Sequence, residues 1–309
     1  MATLYGLLAT IWSSTWVAIK IGLEDCPPLL GAGIRFAVAG LLLLGVSAAR
    51  GRPLRTDFRL AAILAALPFA FAYGLVYWGE QYIPSGLAAV LFGVMPLYTA
   101  LLGALLLPDA PLRARLVVGI LVAIGGLALA FAESADAGDP ELAIAGAAAL
   151  ALSPLGAALG NIALKLRAGE LDALVLNGWA MVGGGLALLS VSALGEDWGE
   201  LALTPEALGS IAYLAVAGSA VAFVGLTVLL RHISAQAMSF LALILPFGAL
   251  VFGAVLYGEG ITPRALGGAA LVGAGLLVAQ AAHRSPPGDE SLDSPAGGVR
   301  TGKDAVPVP

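Results

Sequence analysis

The chain carries little charge and few residues fit for catalysis. Of its 309 residues 11% are charged and 60% hydrophobic, against roughly 25% and 45–50% in soluble domains. That scarcity excludes an ordinary water-soluble fold. Cys26 is the single cysteine, which rules out an internal disulfide and any cysteine-based metal site. The two histidines, His232 and His283, stand at the ends of apolar runs. No pairing of His, Asp or Glu occurs at catalytic spacing within a run, so the sequence offers neither an intramembrane enzyme nor a place for a metal or cofactor. The period-two alternation of a transmembrane barrel is missing as well.

What is present is apolar length. Ten runs are candidates to cross about 30 Å of hydrocarbon: residues 3–22, 29–49, 60–80, 84–107, 114–132, 141–164, 173–194, 207–229, 235–257 and 264–282. A bilayer leaves no water to satisfy backbone groups, so such runs must be helices. The first run lacks a basic flank and a small-residue cleavage site, and is expected to be a retained helix rather than a signal peptide. From residue 284 to 309 the composition turns to Pro, Gly, Ser and charge, the signature of a disordered tail.

Basic residues mark the cytoplasmic ends of membrane helices, and here they divide cleanly. Arg50, Arg52, Arg55, Arg59, Arg113, Arg115, Lys165, Arg167, Arg231 and Arg284 all fall in connections of one side. Glu24, Asp25, Glu80, Glu196, Asp197, Glu200 and Glu259 fall on the other, with Lys20 and Arg264 as the basic exceptions. Both termini are therefore expected in the cytoplasm. With the basic residues committed to topology, the net charge of −5 says nothing of nucleic acid, and none is expected as a partner; the partners are the lipid bilayer and a small-molecule substrate.

A second pattern is an internal echo. Ile83, Leu91, Pro96, Gly103, Leu106, Val122 and Gly125 recur 150 residues later as Ile233, Leu241, Pro246, Gly253, Leu256, Val272 and Gly275. Composition alone supplies about half the matches of such an echo, so register carries the weight: Pro96 and Pro246 both fall mid-run, and Asp109 and Glu259 both close their runs. Five runs per copy is an odd number, which makes the copies inverted. The fold class expected is an all-α membrane protein of ten transmembrane helices in two inverted five-helix repeats, residues 1–138 and 139–283, with a cytoplasmic tail at 284–309. Inverted repeats commonly build alternating-access carriers with the substrate at mid-membrane between them.

Four stretches then resemble a known family: WSSTWVAIK at 12–20, GIRFAVAG around Arg35, EQYIPSGLAAVLFGVMPLYTALL from Glu80, and its echo ALILPFGALVFGAVLYGEGITP. Together with the ten runs they are similar to the drug/metabolite transporter superfamily, in its EamA-type branch, over residues 3 to about 282. Ser13 departs from the glycine that often follows the tryptophan in that branch. The resemblance implies export of amino acids, related metabolites or cationic drugs.

Candidate site residues follow from polar and aromatic groups inside apolar runs. Trp12 and Trp16 share a helix face, as do Tyr73 and Tyr77; with Ser13, Tyr98, Ser153 and Asn161 they are expected to line a substrate cavity, an amphipathic wall suited to amino-acid side chains or planar cations. Trp78, Trp179 and Trp198 read as interfacial belt residues. Lys20 and Arg35 are the basic residues inside predicted helices. Arg35, about six residues or roughly 9 Å into its helix, is placed to snorkel outward or to pair with Glu24, Asp25 or Glu80; alternatively Lys20 or Arg35 serves as an outer gate or a carboxylate-binding group. Pro96 and Pro246 are candidate hinges, and Glu80 a gate residue. The Gly119–Ala123 and Ala269–Gly273 faces suit close helix contact within one chain, with a monomer or weak homodimer expected. No acidic residue lies mid-helix, so gradient-driven export of amphipathic metabolites, amino acids including aromatic ones, leads. Proton-coupled efflux of lipophilic cations through Glu80 or Glu259 is the alternative, and a non-transporting membrane subunit or an intramembrane enzyme, the latter without a catalytic constellation, the readings of another class.

Overall fold

The structure, a computed structural model, describes residues 2–106, 114–134, 139–167, 171–230 and 235–281. Asp109, Arg113, Arg231, His232, His283 and the tail lie outside them. Among the described residues the chain is helical throughout: α1 Ala2–Gly22, α2 Pro28–Ala49, α3 Phe58–Glu80, α4 Ser85–Phe92, α5 Met95–Leu106, α6 Ala114–Ser134, α7 Pro140–Arg167, α8 Ala173–Gly195, α9 formed by Pro205–Tyr213, Leu214–Val221 and Ala222–Leu230, α10 Ala235–Leu256 and α11 Pro263–Ala281. Six of these, α1, α2, α3, α7, α8 and α9, are long and apolar enough to cross a membrane, with shorter apolar stretches at Ser85–Thr99, Val117–Leu129, Ile244–Leu256 and Pro263–Ala279. Leu41, Leu121, Leu194 and Val255 lie exposed on the outer surface. That apolar surface is what lipid, rather than water, would cover.

Small residues set which helices meet. On α2 a Cβ at Gly40 would stand 2.6 Å from the Gly178 carbonyl of α8, and one at Gly185 would stand 2.6 Å from the Ala37 nitrogen, so the two backbones touch without side chains between them. α6 and α11 pair in the same way: a Cβ at Gly126 would lie 2.8 Å from the Gly268 carbonyl, and Gly275 approaches Gly119 and Ala123. The expected small-residue face of α6 is therefore used within the chain. On α11 the closest backbone approaches to α6 are at Gly268 and Gly275.

Helix packing follows a swap rule. α1 packs on α10 and on α9; α5 and α3 pack on α7; α3 lies on α8 as α2 lies on α9; and α2·α8 and α6·α11 are self-matched. Exchanging the first half for the second returns these neighbours, whereas the contacts α1·α4, α6·α7 and α4·α11 have no counterpart of comparable extent. A π-helical segment recurs too, at Ala65–Ala72 in α3 and Leu214–Val221 in α9. Pro68 explains the first, because it has no N–H and crowds the carbonyl four residues back. The second has no proline but carries the adjacent Gly218 and Ser219.

Polar ties concentrate where the acidic residues gather. Both Glu196 oxygens accept from the first amides of α2, Leu29 at 2.7 Å and Leu30 at 2.9 Å, which places a carboxylate on the positive end of that helix. Glu259 does the same for α4, accepting from Ser85 N–H at 2.7 Å, Ser85 Oγ at 2.8 Å and Gly86 N–H at 3.2 Å. Thr204 Oγ1 donates to Asp25 at 2.5 Å, and the Tyr257 hydroxyl bonds Glu24. That bond, then burial and nearby carboxylates, pushes the Tyr257 hydroxyl up to about 12. Burial, with Glu196 nearby, pushes the Cys26 thiol up to about 11. At the opposite end Arg52 pairs with Asp172 at 2.7 Å, and Trp179 Nε1 donates to the Leu54 carbonyl at 2.9 Å.

Candidate functional site

The side chain of Arg35 does not turn outward. It is 1% exposed, and on the face of α2 away from α8 it reaches into the π segment of α9. Nε donates to Ser219 Oγ at 2.9 Å and Nη2 to the Gly218 carbonyl at 3.4 Å, while Nη1 lies 3.4 Å from the Tyr77 hydroxyl. A π turn shifts the backbone register and offers polar groups sideways, a device frequent at functional sites. The guanidinium also lies 5.0 Å from the Phe36 ring centroid, 4.9 Å from Tyr73 and 6.0 Å from Tyr77. Among the described residues it forms no ion pair with a carboxylate, which corrects the pairing expected with Glu24, Asp25 or Glu80. The reason is reach: α9 packs against α2 at this level and supplies neutral acceptors closer than the acids at the helix ends. Burying a cation without a counter-ion costs several kcal/mol, and ring contacts offset only about 0.5–2 kcal/mol each.

Aromatic rings extend from this cation across four helices. Phe36 meets Phe69 at 5.1 Å and Tyr73 at 4.8 Å; Phe223 meets Phe69 at 5.1 Å, Tyr73 at 6.4 Å and Trp12 at 5.8 Å. The buried Trp12 Nε1 has no hydrogen-bond partner among the described residues. Trp12, Tyr73 and Tyr77 are thus brought together around Arg35 and Phe223, joined by Phe36, Phe69 and Ser219, which the sequence reading missed. Phe69 extends the Tyr73–Tyr77 stripe by one turn, and Phe223 follows Ser219 by four residues. Both spacings were legible, and were lost among the many apolar residues around them.

The remaining candidates lie elsewhere. Trp16 turns to Phe92 at 5.5 Å, and Ser13 is buried where α1 passes Gly248 of α10. The Tyr98 hydroxyl donates to the Ala151 carbonyl at 3.1 Å, tying α5 to α7. Ser153 donates to Leu150 of its own helix at 2.9 Å and so has its hydrogen spent locally. Asn161 is half-buried on α7. Pro96 is not mid-helix: the run breaks at Gly93–Val94, and Pro96 is the second residue of α5, where a missing N–H costs nothing. Pro246, by contrast, lies inside continuous α10 and faces the break, 3.2 Å from where a Cβ on Gly93 would be. Of the expected belt, Trp198 is half exposed, with Nε1 donating to Ser192 Oγ at 2.9 Å, and Trp78 packs on Tyr82 at 5.3 Å.

Lys20 and Glu80 form a third group. Lys20 Nζ donates to three carbonyls at the end of α3, Glu80 at 2.7 Å, Gln81 at 3.2 Å and Ile83 at 3.0 Å, which places a cation on the negative end of that helix. The Glu80 side chain is 0% exposed, and neither carboxylate oxygen has a hydrogen-bond partner among the described residues.

An all-helical bundle with an apolar outer surface and a guanidinium buried among aromatic rings is matched by a transporter family: the EamA-like transporter family covers residues 1–132 and 144–280. The chain belongs to that family. The inner membrane transporter YedA of Escherichia coli K12, itself named as uncharacterized, is 31% identical over 236 residues, 74% of this chain and 73% of that protein. The transporter YoaV of Bacillus subtilis, also named as uncharacterized, is 26% identical over 78% of this chain and 82% of that one. A solved crystal structure at 19% identity superposes with a TM-score of 0.67 over 92% of this chain and 98% of its own, which shows the shared fold. The chain is accordingly a membrane transporter of the drug/metabolite transporter superfamily, multi-pass in the inner membrane, and not an enzyme.

Proposed function

We propose that this EamA-like transporter exports small amphipathic metabolites, amino acids with aromatic side chains foremost. In this reading ten helices in two inverted five-helix repeats alternate access around a central site, with both termini in the cytoplasm. The swap rule of helix packing and the recurrence of the π segment in α3 and α9 support two repeats related by a twofold axis, and the division of basic and acidic connections supports the inversion.

The observation that carries the substrate class is the buried Arg35, without an ion pair among the described residues, against an aromatic wall. A guanidinium recognises a carboxylate in two-pronged fashion, and the rings of Trp12, Tyr73 and Phe223 provide apolar surface for a planar side chain. The same buried charge disfavours a lipophilic cation as substrate, since it would repel one at short range.

Counterflow of radiolabelled tryptophan, tyrosine and phenylalanine in proteoliposomes tests the proposal. Arg35→Gln is expected to weaken half-saturation about 10- to 100-fold, the worth of about 1.5–3 kcal/mol for a charge-assisted bond, while the corresponding decarboxylated amines lose nothing further by the substitution. Competition by a planar dication with no counterflow of any amino acid would overturn the substrate class.

A further inference from the structure

The contacts of Arg35 are unequal, and the inequality follows the edges of its guanidinium. The group is planar and carries five N–H donors in a fixed fork. One edge joins Nε to Nη2, and the end joins Nη1 to Nη2. Nε donates to Ser219 Oγ at 2.9 Å, within the ordinary range of about 2.7–3.2 Å for such a bond. Nη2 to the Gly218 carbonyl and Nη1 to the Tyr77 hydroxyl both stand at 3.4 Å, outside that range. The firm bond is therefore at Nε, and the end of the group is loosely held.

The backbone of α9 is shaped for this contact. Ala222 N–H, which in an α-helix would bond the carbonyl four residues back at Gly218, bonds those of Ala217 and Ser219 instead. The wide turn passes over Gly218, and its carbonyl turns to Nη2. A Cβ at 218 would stand 2.9 Å from Thr15 Cγ2 of α1 and 3.3 Å from Nη2, so the bare backbone is what lets the guanidinium approach. Ser219 is 0% exposed, and bulk water does not reach the bond.

We propose that Ser219 is a positioning residue: by fixing Nε against α9 it presents the Nη1–Nη2 end of Arg35 to the substrate carboxylate, which takes both prongs and displaces the long Tyr77 contact. This rests on the exporter reading and deepens it, by naming the edge that reads the carboxylate and the residue that sets its angle. The ground is preorganisation. A guanidinium on a free side chain gives up rotamer freedom at each binding event, and two-pronged recognition depends on the plane of the fork. The edge that a carboxylate could share with Nε is already taken by Ser219 and Gly218, which leaves the end-on approach.

Counterflow of radiolabelled phenylalanine by the full-length protein in proteoliposomes tests this, with half-saturation and maximal rate read separately. Ser219→Ala is expected to raise half-saturation about three- to tenfold, the order of one hydrogen bond, and to lower the maximal rate by less. Ser219→Thr, which keeps a hydroxyl, is expected to restore the wild-type value. In an Arg35→Gln background Ser219→Ala should add nothing, because the group it positions is gone. Unchanged half-saturation in Ser219→Ala, beside a weakened Arg35→Gln, would overturn the positioning role and leave the exporter reading intact. So would a loss confined to the maximal rate and the melting temperature, or additive losses in the double variant, since both mark a merely structural serine. Absence of counterflow by any amino acid in the wild type, or an Arg35→Gln with unchanged half-saturation, would overturn the positioning role together with the reading it rests on.

Discussion

Single side chains decide more here than their positions along the sequence suggest. Arg35 and Glu80 both fall near a predicted helix end, where a charge ordinarily reaches water, and both are buried; neither fate is written in hydropathy, because it depends on which helix covers the residue. Asp172 is a contrasting case whose role is local. Its Oδ1 accepts from Leu174 N–H at 2.9 Å at the start of α8 and its Oδ2 from Arg52. Partial burial acts to raise its carboxyl, but the bonds from Arg52 and the two amides outweigh it, and the carboxyl is held below the usual range. A lowered folded-state value means stability that is present above the unfolded value and lost as pH falls through the folded one. Asp172→Ala should therefore lower the melting temperature in detergent at pH 7 by the worth of about 1 kcal/mol for an N-cap, with little from the exposed ion pair. The gap between the two proteins should close as pH drops below the carboxylate range; a gap that stays constant with pH would show that the charge of Asp172 contributes nothing.

At the scale of elements, composition foretold helices and small-residue contacts, and packing selected which glycines matter. Gly119 and Gly125 look alike in sequence, yet the first is pressed against Gly275 and Ala279 of α11 and the second has nothing within 4 Å of a Cβ. Gly119→Leu is expected to destabilise the α6–α11 pair by about 1–3 kcal/mol, the usual cost of overfilling a contact, whereas Gly125→Leu should leave thermal stability in detergent unchanged. Equal effects of the two would contradict the pairing. The runs themselves were legible because every helix must be apolar to face lipid. The π segments were not: Pro68 gives a local cause for one, while Leu214–Val221, which has no proline, packs on α1 and α2. The equivalence expected of Pro96 and Pro246 fails for a related reason. Gly93–Val94 breaks the first run and no equivalent break interrupts α10.

For the whole molecule, the acidic end is closed by ties that cross between helices: Lys20 on the end of α3, Glu196 on α2, Glu259 on α4 and Asp25 with Thr204. Cys26 sits inside this end, in a narrow cleft lined also by Gly22, Gly31, Tyr77 and Ser210, and its raised thiol is almost wholly protonated at neutral pH. Maleimide labelling of Cys26 at pH 7 is thus expected to be slow in the wild type and severalfold faster in Lys20→Ala; equal rates would mean that Lys20 does not hold this end shut. The sequence by itself determined that the chain is a helical membrane protein, where the apolar runs begin and end, and which family motifs it carries, because solvation by lipid acts on each segment separately and leaves its mark in local composition. The tertiary structure decided which polar groups find partners. Whether Arg35 meets Ser219, whether the Glu80 oxygens meet anything, and which rings gather around Phe223 depend on contacts between segments more than 100 residues apart, and no local pattern encodes them.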